Sequence, residues 1–310
     1  MPGERRVGQD HPYYDWSPII NRPRLQWPNN ARVALAVIVN LDHYDWQLPP
    51  DARQLGGGGF GGVLAVGPRP GPFRAPIANF SQHEYGNRVG VFRLFRILDK
   101  YGFKPIVAMD KMVAENYPFL VNECQRRGLE FIAHGISARQ VIHAEMSEAA
   151  ERAYIRESIE AVATATGTRP VGWLSPGFQE SMNTPTLLAA EGIRYVCDWS
   201  NDEQPYQMHV PEGELFSLGI HQDLDDILIQ LNGRRLIDEY RQIIQDAFDQ
   251  LYSDGATSGR LMVINLHPGN VGWPWRSRYL DRALAHISAS SSGVWNASGQ
   301  EIVDWYKNHS

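Results

Sequence analysis

A chain of 310 residues, 43% hydrophobic and 21% charged, has the composition of an ordinary globular protein. That length suits two domains, or one α/β barrel of about 250 residues with insertions. A net charge of −6 and a pI near 5.9, with no basic run, argue against a nucleic-acid partner or an anionic membrane surface.

The opening stretch, MPGERRVGQDHPYYDWSP, lacks an apolar segment of signal-peptide length. Nothing later approaches the roughly 20 apolar residues of a membrane span, so no membrane partner and a cytoplasmic location are expected. Residues 1–30, polar, aromatic and proline-bearing, read as an extended arm, followed by a single body over 31–310. Val33–Val39 is a short apolar run of the kind found in a strand buried on both faces, and it ends in Asn40-Leu41-Asp42-His43. Residues 47–80, with GGGGFGG and GPRPGPFRAP, read as an irregular active-site loop, since no Lys-Ser/Thr follows the glycines as a phosphate cradle requires.

Gly90–Tyr101 has helical spacing with Gly102 as C-cap, Pro105–Met109 is a strand, and Ala114–Arg127 is a helix closed by Gly128. Glu130–Ala133 is a strand that delivers His134. Met146–Thr166 is a long helix with Ser147 as N-cap and with Glu148 and Glu151 at its positive end. Val171–Leu174 leads to Ser175-Pro176-Gly177, Thr184–Glu191 is helical, and Tyr195–Asp198 is a short strand. Leu236–Tyr252 is an amphipathic helix, and Leu261–Leu266 is a last buried strand that delivers His267. Strands alternating with helices imply a parallel β/α architecture in one domain. Cys124 and Cys197, the only cysteines, have no metal spacing and read as reduced core thiols.

In such a fold the C-terminal ends of the strands share one mouth. A carboxylate and several imidazoles gathered there suit hydrolysis, the carboxylate taking a proton from water and an imidazole protonating a leaving nitrogen. The imidazoles could also hold a metal that polarises a carbonyl.

The segments RVALAVIVNLDH, EFIAHG, WLSPGF and INLHP, in this order and spacing, resemble the motifs of the polysaccharide deacetylase (NodB-like) superfamily. YGNRVGVFRLFRILDKYG, QDAFDQLYSDG and LHPGNVGWPWR resemble more narrowly the branch of metal-independent allantoinases, cyclic imide hydrolases and related peptidoglycan deacetylases. The resemblance implies a single-domain distorted (β/α) barrel and an association into homo-oligomers, which the arm at 12–27 could serve. It implies Asp42 as catalytic base, His267 as general acid and His134 as the first histidine of a metal motif. The chain departs from the pattern twice. Ala138 stands where the motif has its second histidine, and Ser175 stands where the third motif has an arginine. His43 could compensate, which gives Asp42, His43 and His134 as a rebuilt site for one divalent metal such as zinc, or else no metal is used.

The expected activity is hydrolysis of a non-peptide C–N bond in a small amide, cyclic imide or ureide. The alternatives are N-deacetylation of a sugar or peptidoglycan precursor, and a binding protein on a decayed enzyme scaffold. Arg88 could grip a substrate carbonyl or carboxylate, or hold a loop by a salt bridge. Tyr85, Ser175, Pro176, Phe178, Trp199 and Trp273 are candidates for lining a substrate pocket, although aromatics in a chain with nine tryptophans are mostly core. Asp225-Asp226 reads as a solvated loop pair, and His143 as a surface or capping residue.

Overall fold

The apolar run Val33–Leu41 forms strand β1, buried at every position of the computed structural model, which describes residues 11–48, 77–232 and 235–309. Helix α1 (Ile77–Tyr85) passes through a wide helical turn at Gly86–Gly90 into α2 (Val91–Tyr101). The chain leaves α2 at Gly102, in the left-handed region at φ 72°. Strand β2 (Ile106–Met109) is followed by α3 (Lys111–Asn116) and α4 (Pro118–Arg126). Then come β3 (Glu130–Ala133), α5 (Glu148–Thr166), β4 (Gly172–Trp173), α6 (Thr184–Ala190) and β5 (Tyr195–Val196). The remaining elements are β6 (Tyr206–Met208), β7 (Leu215–Ser217), α7 (Ile237–Asp254), β8 (Arg260–Leu266), α8 (Pro274–Ala289), β9 (Val294–Asn296) and α9 (Gly299–His309).

The strands form one sheet in the order β6-β7-β5-β4-β3-β2-β1-β8, with β9 against the start of β1. Pairing is parallel everywhere except between β6 and β7. The result is a single-domain α/β fold whose sheet curls into a half-barrel, as the resemblance implies.

Strand parity positions the site. Side chains alternate between the two faces of a strand. In β1, Val33, Leu35, Val37, Val39 and Leu41 share an apolar cluster with side chains of α2, α7 and α8, whereas Ala34, Ala36 and Ile38 pack with Ile106, Ala108, Ile132 and Val263 on the inner face. Continuing the inner series by twos gives Asn40 and Asp42 from β1, Asp110 from β2, His134 from β3, and Asn265 and His267 from β8. The polar groups therefore cap the inner apolar layer at one end.

Several boundaries differ from the sequence reading. The helix expected over 114–127 is two helices, because Pro118 cannot continue α3 and Tyr117 turns the chain between them. Residues 77–80, read as loop, are the first turn of α1, and Tyr195–Asp198 holds only the two-residue β5. The loop reading over 49–76 lies outside the described residues. The Ser147 cap is present, its side chain accepting from Ala150 N. Both cysteines are buried and unpaired.

Within the arm, Leu25 and Trp27 are buried in the inner cluster, and Trp27 Nε1 donates to the Arg260 carbonyl at 2.8 Å. Arg22 pairs with Asp202 at 2.5 Å, while Trp16 and Ile20 remain exposed. No helix among the described residues is long and apolar enough to cross a membrane.

Candidate active site

Asp42 follows the last residue of β1, and its side chain is 17% exposed. Its Oδ1 lies 3.4 Å from Nδ1 of His83 on α1. Its backbone carbonyl accepts from Asn87 Nδ2 at 2.9 Å. Burial alone would raise the Asp42 carboxyl. Its interactions with His83, His267 and His134 outweigh that and hold it below the ordinary carboxylate range. The turn after Asp42 is fixed from below, since His43 N donates to Asp110 Oδ2 at 2.5 Å. Burial pushes Asp110 itself well above the usual range, and the nearby Asp42 and Asp45 add to the rise.

His134 is buried, and its Nδ1 lies 2.6 Å from the Leu174 carbonyl oxygen. A carbonyl only accepts, so Nδ1 carries the proton and Nε2 is left with a lone pair. Burial lowers the His134 pKa to about 4 despite the Asp42 charge, so the ring is neutral at physiological pH.

His267 differs. Its Nδ1 donates to Asp226 Oδ1 at 2.7 Å, and its backbone N donates to the same oxygen at 3.0 Å. Burial would lower its pKa, but Asp225, Asp226 and Asp42 raise it to about 9. His267 is therefore an imidazolium at neutral pH, with Nε2–H as a donor. The sequence reading of Asp225-Asp226 as a solvated pair is corrected here. Both are buried, because their carboxylates are satisfied by backbone and side-chain N–H groups rather than by water. The apolar Ile227-Leu228-Ile229 that follows the doublet is the local signal of that burial.

The rebuilt metal set does not assemble. Among the described residues, Asp42, His43 and His134 do not bring three ligand atoms within 4.8 Å of one another; Asp225, Asp226 and His267 do. His43 is engaged elsewhere, with Nδ1 3.1 Å from the Tyr117 hydroxyl. That hydroxyl donates to Glu84 at 2.9 Å, so His43 Nδ1 must be the donor to Tyr117. Ala138, at the position of the motif's second histidine, contributes a backbone N–H to the His43 carbonyl at 3.0 Å. In the acidic group each oxygen already accepts N–H donors: Asp225 from Ile227, Leu228 and Asn265, and Asp226 from His267, Asn270 and Val271. The lone pairs a metal needs are committed, and neither donor set fits a resident ion.

The other expected residues divide. Tyr85 and Trp273 come together as a stacked pair, with ring centroids 3.9 Å apart and 9° between planes. Trp199 is half-buried, held by Glu180 at 3.1 Å and covered by Tyr13 at 5.0 Å. Ser175 is buried, its Oγ taken by the Trp173 indole at 2.8 Å and its N–H by Asp198 at 2.9 Å. Pro176 is buried beside Gly135, and Phe178, at φ 57°, packs on the inner cluster. Arg88 is exposed and makes no hydrogen bond or ion pair among the described residues; its neighbour Asn87 is the one that reaches Asp42. His143 is half-buried, and its carbonyl accepts from Met146 N.

Four acidic residues and one imidazole at this end were not singled out as site residues from sequence: Asp226, Asp110, the paired Glu180 and Asp198, and His83. Burial and the adjoining Asp198 push Glu180 well above the ordinary range, making it the neutral partner. Its proton gives the buried Asp198 Oδ2 a partner that it otherwise lacks. For His83, the four-residue spacing to Asn87 was the available signal, hidden because no helix was read before Gly90.

Comparison with known proteins places this geometry. The family model for polysaccharide deacetylase matches residues 83–196. A Schizosaccharomyces pombe protein carrying a provisional polysaccharide deacetylase name is 27% identical over 91% of this chain and 93% of its own length. Among solved structures, a Pseudomonas aeruginosa PAO1 protein with a similarly provisional name has a TM-score of 0.77 at 27% identity, covering 93% of this chain and 95% of that one. The allantoinase PuuE has a TM-score of 0.76 at 26% identity, covering 93% and 94%.

Proposed function

We propose that this chain, which matches the polysaccharide deacetylase family model over residues 83–196, is a member of that (NodB-like) superfamily and hydrolyses a non-peptide C–N bond in a small amide, cyclic imide or ureide. The observation that carries this reading is a base and an acid held in opposite protonation states on one inner face. Asp42 is kept ionised by the imidazoles around it, and His267 is kept protonated up to about pH 9. Groups whose pKa values are pushed apart by their surroundings mark acid and base roles.

In the proposed reaction Asp42 accepts a proton from water as the water oxygen bonds the carbonyl carbon. His267 Nε2–H then protonates the nitrogen as the C–N bond breaks. Amide and water become a carboxylic acid and an amine, which are a single product when the substrate is cyclic. Neutral His134 offers its Nε2 lone pair to a hydrogen of the attacking water or of a substrate N–H. Asp226 holds the His267 ring and balances its charge, as second partners of catalytic histidines do. The likeness to an allantoinase over nearly the whole of both chains supports a small cyclic or ureide substrate.

A second reading, N-deacetylation of an acetylated amino sugar, is supported by the family match and the Schizosaccharomyces pombe relative. It would use the same base and acid. A panel of cyclic imides, ureides and acetylated amino sugars separates the two. Ring opening or ureide cleavage that disappears in Asp42→Asn supports the first reading. Acetate release alone, equally dependent on Asp42, would establish the second. A folded protein that binds panel members without converting any would be a binding protein.

A further inference from the structure

Asp42 is gripped at two points by one helical segment. His83 and Asn87, four residues apart, lie on one face of the segment. His83 Nδ1 meets the Asp42 carboxylate at 3.4 Å, and Asn87 Nδ2 meets its backbone carbonyl at 2.9 Å. His83 is 8% exposed, and its ring lies against Tyr44 with centroids 4.6 Å apart and 27° between planes, which limits its rotation. A carboxylate oxygen only accepts, so the proton in this contact is on Nδ1. Among the described residues Oδ1 has this partner, and no hydrogen bond reaches Oδ2. Ser175, at the arginine position of the superfamily's third motif, brings no cation; its Oγ serves the Trp173 indole.

We propose that His83 is a positioning residue for Asp42: it occupies Oδ1 and turns Oδ2 toward the attacking water. This rests on Asp42 being the base. The contact at 3.4 Å is long for a hydrogen bond, so its contribution is orientation of the carboxylate rather than a tight tether. The other groups acting on the same carboxylate are His267 and His134. His134 is committed through Nδ1 to Leu174 and His267 through Nδ1 to Asp226, so His83 is the imidazole whose Nδ1 is given to Asp42.

Two variants isolate the role. His83→Phe keeps a ring against Tyr44 and removes the donor. His83→Asn places an amide N–H where Nδ1–H stood. On the best-turned-over member of the substrate panel, His83→Phe lowers kcat by about 10- to 100-fold with KM within about two-fold, the cost of a misdirected base. His83→Asn recovers most of the loss. If His83→Phe does not fold, His83→Leu, which also lacks a donor, takes its place. A wild-type kcat in the donor-less variant, or a change in KM alone, overturns the proposal.

A second readout needs no substrate. In protein labelled with carboxyl-13C aspartate, the Asp42 signal, identified by its loss in Asp42→Asn, titrates at higher pH in His83→Phe than in wild type. An unmoved midpoint overturns the contact itself. If Asp42→Asn hydrolyses as fast as wild type, the base assignment fails while this NMR result stands.

Discussion

Gly90 and Pro268 are in backbone contact: a Cβ on Gly90 would stand 2.2 Å from the Pro268 carbonyl oxygen. One turn earlier, a Cβ on Gly86 would stand 2.6 Å from Gly269 N. The helical segment that presents His83 and Asn87 to Asp42 is thus seated directly on the turn that follows His267. Asp42 and His267 are brought to register by two glycines that let these backbones touch.

Gly90→Ala must move that turn, since the atoms it meets are main chain rather than a flexible side chain. The expected cost is about 1–3 kcal/mol of stability, measured by urea unfolding. A displacement near 1 Å at His267 is expected to lower kcat by about 100-fold. Gly102→Ala is the control, because a Cβ there meets nothing within 4 Å, although φ 72° makes it mildly strained. Loss of stability without loss of activity in Gly90→Ala would show that the turn does not set the position of His267.

Asp226→Asn removes one of the charges that keep His267 protonated. In wild type the rate is expected to fall as pH rises through about 9, where the acid loses its proton. In the variant this alkaline limb moves down toward the ordinary histidine value of 6.5. The kcat–pH profile decides it, and a limb that stays near 9 would remove Asp226 from the role.

His267 and His134 make opposite contributions to stability. The His267 pKa is raised by folding from 6.5 to about 9, so its contribution is full below pH 6.5 and is lost as pH rises through 9. The His134 pKa is lowered from 6.5 to about 4, so the unfolded chain takes up the proton first as pH falls. Its contribution is full above pH 6.5 and is lost toward pH 4. Unfolding midpoints followed from pH 4 to 10 are expected to decline at both ends. His267→Gln flattens the alkaline side and His134→Gln the acid side; the reverse assignment would contradict the environments described.

Because neither candidate donor set has three uncommitted ligand atoms together, exhaustive dialysis against EDTA is expected to leave activity within about two-fold. His43→Gln, which among the described residues loses the Tyr117 contact, is expected to retain most of the rate. Activity abolished by EDTA and restored by one added divalent metal would mean that the site rearranges to bind an ion worth several kcal/mol of ligand reorganisation.

The sequence by itself determined the fold class and the strand ends at which the candidate site lies. An apolar run such as Val33–Val39 is readable locally, and parity along β1 and β8 then sends Asp42 and His267 to the inner face. Capping was legible at Ser147 and Gly102, where the signal spans a few residues. Only the tertiary structure decided which groups act on each other. Asp42 and His83 are 41 residues apart, and so are Asp226 and His267. No periodicity reports a contact across such a separation, and a carboxylate doublet looks the same in sequence whether it faces water or a buried imidazole. The proposed metal set failed for the same reason: Asp42 and His43 are adjacent in the chain, but a strand end sends neighbours to opposite sides, one to the inner face and the other to Tyr117.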